Sequence, residues 1–197
     1  MRGALGAAML LVVAGSAGAA DRADWRRVAT KEDRGRLRRW RDAWVEAMAQ
    51  VRASEHAGAA AALGALAEGD RALADPALPD GDYRCRTIKL GAKGMTRLRY
   101  VAYPFFGCRV SEGGSRLVKL DGSQRFAGRL YADTDARAVF LGTLMLAGEA
   151  RPLAYGRDRA RDVVGIVERV GPDRWRIAMP YPAYESLLDV VEIVPAG

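Results

Sequence analysis

The chain has 197 residues, with 31 Lys and Arg against 24 Asp and Glu, one His and two Cys. A net charge of +7 with 50% hydrophobic residues is the composition of a folded globular chain, not of a disordered, collagen-like or membrane-spanning one. One histidine and two cysteines exclude most histidine-based metal sites and any dense disulfide scaffold.

Residues 1–20 read as a secretory signal peptide. Arg2 supplies the charged start, Ala4 to Val13 the apolar core, and Ala17-Gly18-Ala19 the small-residue cleavage pattern. The apolar run is about ten residues, half of the ~20 needed to span a bilayer. No Cys stands directly after the cleavage region, so no lipid anchor is expected there. Cleavage removes one Arg and no acid, leaving +6 on about 177 residues. A chain of that size buries roughly 70% of its unfolded surface around one core. The mature protein is expected to be periplasmic or secreted, with no transmembrane segment.

Residues 21–68 carry helical periodicity. Thr30 and Asp33 resemble a capping box with Asp in place of Glu. Leu37, Trp40, Trp44, Met48 and Val51 recur every three or four residues and form one helix face. An apolar stripe of this kind normally faces the core of its own chain. A second, Ala-rich helix is expected over 56–68 with Leu63 and Leu66 inward, weakened by Gly58 and Gly64. Together they predict a helical hairpin. Residues 69–82, with Gly69, Pro76, Pro79 and Gly81, read as a linker.

From residue 83 the pattern changes to short β-rich runs: 83–90, 100–110, 116–120, 124–131, 138–146, 163–170, 174–179 and 187–194. Trp175, Ile177 and Met179 alternate with Arg174, Arg176 and Ala178, the period of a half-buried strand. Glu112-Gly113-Gly114, Asp121-Gly122, Gly148 and Gly171-Pro172-Asp173 separate the runs as turns. The fold class expected is α+β: the hairpin packed on an antiparallel barrel or sandwich of about eight strands. A barrel is favoured because closure removes exposed edges. Pro104 and Pro182 are each expected at a bulge, an edge or a strand end. Phe105, Phe106, Phe126, Phe140 and Trp175 either fill the barrel or line a pocket, and a filled core is expected.

Cys85 and Cys108 fall in the first two runs, and an exported chain with two cysteines most simply joins them. If they lie directly opposite each other, Arg84 faces Arg109, Arg86 faces Gly107, and all three arginines share the face opposite the disulfide. Like charges placed across a ladder repel. Such a face is solvated, paired with acids such as Glu112 or Asp189, or occupied by an anion or acidic partner. Arg84, Arg86 and Arg109 are therefore the candidate anion-binding residues.

Other chemistry is sparse. The one histidine, His56, lies far from the cysteines and reads as an exposed residue near a helix start, so no catalytic triad is assigned. No catalytic residue, metal site or cofactor is expected. The carboxylate pairs Asp133 with Asp135, Asp158 with Asp162, and Glu185 with Asp189 are of the type glycosidases use, but a chain of this size commonly contains such pairs. Basic residues alternate with acids along the chain. The interleaving reads as a mixed solvated surface; nucleic acid is not expected as a partner, and the partner is otherwise unassigned, with an acidic ligand, an envelope polymer or a protein as the candidates.

Asp24-Trp25-Arg26-Arg27, the run from Leu37 to Trp44, and the run from Gly81 to Gly91 carry a family resemblance, as do Tyr103-Pro104-Phe105-Phe106 with Cys108, Gly122-Ser123-Gln124-Arg125, Phe140-Leu141-Gly142, Pro152 to Gly156 and Ser186 to Val190. Over nearly all of the mature chain they resemble an exported bacterial family catalogued as domain of unknown function 4893. The resemblance implies a secreted protein with this helix-and-strand layout and supplies no activity. Gly81-Asp82-Tyr83 is more weakly similar to the Gly-x-Trp opening of lipocalin-like chains, and Tyr83-Arg84-Cys85 to a strand of periplasmic lysozyme inhibitors. A positive charge opposes binding to a basic lysozyme. The function expected is that of a binding or inhibitor-like protein of unidentified ligand; the rivals are a carboxylate-dependent envelope hydrolase and an envelope structural protein.

Overall fold

Alternating inward and outward side chains build a single antiparallel sheet. The computed structural model of the protein describes residues 24–94 and 99–197; the leader assigned to residues 1–20 lies outside the described residues. The strands are β1 (Gly81–Ala92), β2 (Tyr100–Ala102), β3 (Phe106–Ser111), β4 (Arg116–Lys119), β5 (Arg125–Ala132), β6 (Ala138–Met145), β7 (Asp162–Gly171), β8 (Arg174–Pro180) and β9 (Ser186–Pro195). Each pairs with the next from β3 to β9, and β1 pairs with both β3 and β9. Eight strands thus close into a barrel, and β2 adds an extra strand beside the second half of β1.

The run expected over 100–110 is interrupted at Tyr103-Pro104-Phe105. Ile88 faces Ala102, whereas Cys85 faces Phe106, so one extra residue is inserted between the two stretches. Proline has no N–H to give the ladder, and a bulge accommodates it. The cysteines form a disulfide with Cα atoms 5.9 Å apart. They are diagonal rather than directly opposite: Cys108 faces Tyr83. The expected facing of Arg84 with Arg109 is therefore incorrect. Arg109 faces Asp82, and Arg84 faces Gly107.

The barrel interior is packed. Tyr83, Cys85, Cys108, Leu117, Phe126, Phe140, Trp175, Ile177, Val191 and Ile193 belong to one buried cluster. Phe140 lies against two glycines: a Cβ on Gly128 or Gly142 would come within 2.7 or 2.5 Å of its Cζ. Of the expected linker, residues 69–82, the last two open β1 and residues 69–80 run across one end of the barrel. Leu78 inserts into the interior cluster, Pro79 O accepts from Tyr83 Oη at 2.8 Å, and the Asp80 carboxylate accepts from the N–H groups of Gly113 and Gly114 at 3.0 and 2.6 Å.

The helical segments lie on the outside of the barrel. They are α1 (Trp25–Val28), α2 (Lys31–Arg38), α3 (Trp40–Arg52), α4 (Ala57–Ala61) and a 3-10 turn at Gly64–Ala67. Thr30 caps α2 by accepting from Asp33 N–H at 3.2 Å. The predicted stripe of Leu37, Trp40, Trp44, Met48 and Val51 is buried, although the helix carrying it breaks at Arg39. The second expected helix is two short turns, separated where Gly64 takes φ +54°. These segments cover outward residues such as Ile88, Leu90, Val164, Leu188 and Val190 in a second core. Burying each large apolar side chain of α3 contributes about 1.5–3 kcal/mol.

A buried charge network fastens this layer to the sheet. Arg176, on the outward side of β8, is fully buried rather than solvated as its alternation implies. It donates to Glu168 from Nε and Nη2 at 2.8 and 2.6 Å. Its Nη1 donates to the carbonyls of Ala65, Leu66 and Glu68, its Nη2 to Gly69 O, and its guanidinium lies 4.6 Å from the Trp44 ring centre. Arg137 holds the other Glu168 oxygen at 2.8 Å. At the opposite margin, Asp33 holds Arg36 and accepts from Tyr155 Oη. Arg36 donates to Asp162 O and Tyr181 O at 2.9 and 3.3 Å.

Glu168→Ala strands a buried guanidinium, and the expected loss is about 3–5 kcal/mol in urea unfolding. Arg159→Gln breaks only the exposed pair with Glu32 and is expected to cost less than about 1 kcal/mol. Reducing the disulfide, whose cysteines are 23 residues apart, is expected to cost about 3 kcal/mol from loop entropy. Unfolding with and without reductant measures it.

Candidate functional site

The alternation that places Tyr83 and Cys85 in the packed interior carries Thr87 and Lys89 inward as well, further along β1. There the barrel is not filled. A cleft of about 210 Å³ opens at this end, lined by Thr87, Lys89, Phe106, Lys119, Met179 and Asp189 among others. The loop from Tyr181 to Glu185 and the turn from Gly122 to Gln124 form its rim. Tyr181 and Glu185 have φ of +46° and +62°, conformations that cost non-glycine residues energy and cluster at functional sites.

Four ionisable residues of the lining are buried: Lys89, Lys119 and Asp189 on inward rows, and Asp162 on the outward row of β7, where its carboxylate accepts from Gly156 N–H. Lys89 Nζ lies 3.5 Å from Asp189 Oδ2 and 3.6 Å from Glu185 Oε2. Ser186 Oγ donates to the other Asp189 oxygen. Burial pushes the Asp189 carboxyl above the ordinary carboxylate range, with Lys89 and Ser186 pulling the other way. Lys119 Nζ donates to Gln124 O at 3.0 Å and lies 4.2 Å from the Phe106 ring centre. Burial lowers its affinity for a proton, and Asp121 partly offsets this.

The arginine face predicted from sequence is arranged differently. Arg84, Arg86 and Arg109 do point outward, opposite the disulfide. Arg86 is paired with Glu192 at 2.6 Å, sharing it with Arg174, and Arg109 with Asp82 at 2.7 Å. These partners replace the expected Glu112, which holds Arg129, and Asp189, which is inside the barrel. Arg84 and Arg86 both stack on Phe105, 5.4 and 4.8 Å from its ring centre. Of the three carboxylate pairs, Asp133 accepts from Trp25 and Arg26. Asp162 accepts from Gly156 N–H and leaves Oδ2 without a partner. Only Glu185 and Asp189 meet in a cleft. His56 stacks on Tyr100, ring centres 5.7 Å apart. Among the described residues no group of His, Cys, Asp and Glu side chains could hold a metal ion, and no helix is long and apolar enough to cross a membrane.

A larger groove of about 920 Å³ lies beside the plug segment at the far end. Its polar side chains are largely engaged with one another or with turns: Arg129 donates to Glu112 and Ser115, Asp75 accepts from Ala77 N–H, Asp80 from two glycines and Thr134 from Ala136 N–H. The mouth is the stronger candidate because its charged groups converge on open space.

Lys119 supplies a pH signature. Its proton is held less tightly in the folded chain than in the unfolded one, so the folded state is penalised while both bind the proton. That penalty is complete below the lowered folded value and is relieved as pH rises through it toward about 10.4, the ordinary lysine value. Lys119→Met is therefore expected to be more stable than the parent at pH 7, with an advantage that shrinks in alkali. Denaturant midpoints across that range measure it.

The family model described as Domain of unknown function (DUF4893) matches residues 25–193. No curated protein and no solved structure matches the chain. The matched stretch takes in the helical layer, the disulfide, the barrel strands up to the last two residues of β9 and both rims of the mouth, and the chain belongs to that family.

Proposed function

We propose that this protein is an exported binding protein whose barrel mouth holds a small ligand. The carrying observation is the convergence of Lys89, Lys119 and Asp189 on the cleft of an otherwise packed barrel. Burying such groups is costly, and a scaffold evolved for stability alone gains nothing from three of them around open space. The volume is below the roughly 300–1,000 Å³ of pockets that bury drug-sized molecules, so the occupant is small. The leader-like residues 1–20 and the disulfide support export to a periplasm or beyond.

One observation favours a second reading. Asp189 is buried and holds its proton more tightly than an ordinary aspartate, as a general acid does. Glu185 reaches the same lysine and is the corresponding base. A hydrolase of this kind loses turnover in both Asp189→Asn and Glu185→Gln, whereas a binding protein shows no turnover to lose.

Native mass spectrometry of the protein purified from its own host is expected to show a retained small molecule. Thr87→Trp, which fills the mouth, is expected to lose it while keeping the parent circular dichroism. A parent protein with no adduct, or an adduct unaffected by Thr87→Trp, overturns the assignment.

A further inference from the structure

Three cationic side chains are buried in the described chain: Lys89, Lys119 and Arg176. Arg176 has Glu168 at 2.6 Å, and Lys89 has Asp189 and Glu185. Buried charges are normally compensated in this way. Lys119 is the exception. It is 7% exposed, yet its contacts are a carbonyl oxygen and an aromatic face, and among the described residues it makes no ion pair. Asp121 attracts it from further away, but the Asp121 carboxylate accepts from Gly107 N–H at 3.1 Å. Neighbouring Gly122, at φ +90°, brings its backbone close: a Cβ there would lie 3.5 Å from Lys119 Nζ. The ammonium is thus walled by backbone and ring on some sides and borders the cleft on another.

Resting on the reading of the mouth as a ligand site, we propose that the ligand itself supplies the missing counter-ion. The site takes a small monocarboxylate, with its carboxylate on Lys119 Nζ and its apolar body against Phe126, Leu144, Met179 and Val191, all lining residues. Charge selects a single negative group. Lys89 has two carboxylates, Asp189 and Glu185, within 3.6 Å, so among the described residues of the lining Lys119 is the cation with no carboxylate in contact. A phosphate or dicarboxylate would bring a second negative charge toward Asp189 and Glu185. A charge-assisted hydrogen bond in a partly desolvated cleft then discriminates an acid from its amide.

Calorimetric titration of the full mature protein tests this, with acetate, butyrate and benzoate set against benzamide and inorganic phosphate. At least one monocarboxylate is expected to bind at millimolar concentration or below, about tenfold or more tighter than benzamide, with phosphate weaker. Lys119→Met is expected to reduce the carboxylate to the level of benzamide and to leave benzamide unchanged. Perturbation of the Lys119 Cε resonance by the carboxylate in the parent protein gives a readout independent of any variant's folding. Benzamide binding as well as benzoate, with both abolished by Thr87→Trp, keeps the mouth as a ligand site and overturns the anion assignment. Equal or tighter binding of phosphate, or unchanged carboxylate binding by Lys119→Met, also overturns it. No binding by any monocarboxylate overturns it outright.

Discussion

β1 is hydrogen-bonded on both sides, to β9 along most of its length and to β3 and then β2 on its other side. A strand held in this way cannot slip by one residue without exchanging its inner and outer faces. The alternation is therefore imposed on every side chain from Tyr83 to Leu90. Tyr83, Cys85, Thr87 and Lys89 are directed inward; Arg84, Arg86 and Ile88 outward. The apolar part of this inner row is the packed middle of the barrel, and its polar continuation is the mouth. On the outer row, Arg84 and Arg86 remain on a free face with Phe105, while Ile88 and Leu90 lie beneath the helical layer. The disulfide adds a covalent tie within the β1–β3 pair, and the ladder determines what that tie brings together.

The β-strand pattern was legible because half-buried strands advertise a period of two, and because Gly- and Asp-rich turns punctuate it. The stripe from Leu37 to Val51 was legible for the same kind of reason. What could not be read were positions whose environment depends on distant chain. Arg176 alternates with Trp175 and Ile177 and so looks solvent-facing; it is buried because residues 65–69 fold back over β8. Nothing local to β8 announces that cover. The facing of the cysteines was misjudged because a disulfide tolerates a diagonal pairing as well as a direct one.

The mouth shows the same limit from the other direction. Lysines at strand ends ordinarily reach water, so Lys89 and Lys119 carried no local signal of burial. Glu185 and Asp189 were visible as a pair four residues apart, but two other acid pairs looked equivalent. Barrel closure separates them: Asp133 and Asp162 are taken up in the seams with the helical layer, whereas Asp189 enters the lumen. The arginine face followed correctly from alternation as an outward cluster. Its balance by Asp82 and Glu192 follows from cross-strand neighbours, and the sequence holds those only once the register is known.

Arg36 reaches from the helical layer to the carbonyl of Tyr181, at the start of the rim loop that also carries Tyr184 and Glu185. The entrance is thereby moored to residues more than a hundred positions away in the chain. Arg36 thus ties the outer layer to the foot of the loop that carries Pro182 to Glu185, although no helical residue lines the cleft. A minimal barrel trimmed to begin at Gly81 would retain its ladder partners and forfeit this mooring, so the strands alone are an incomplete description of the mouth.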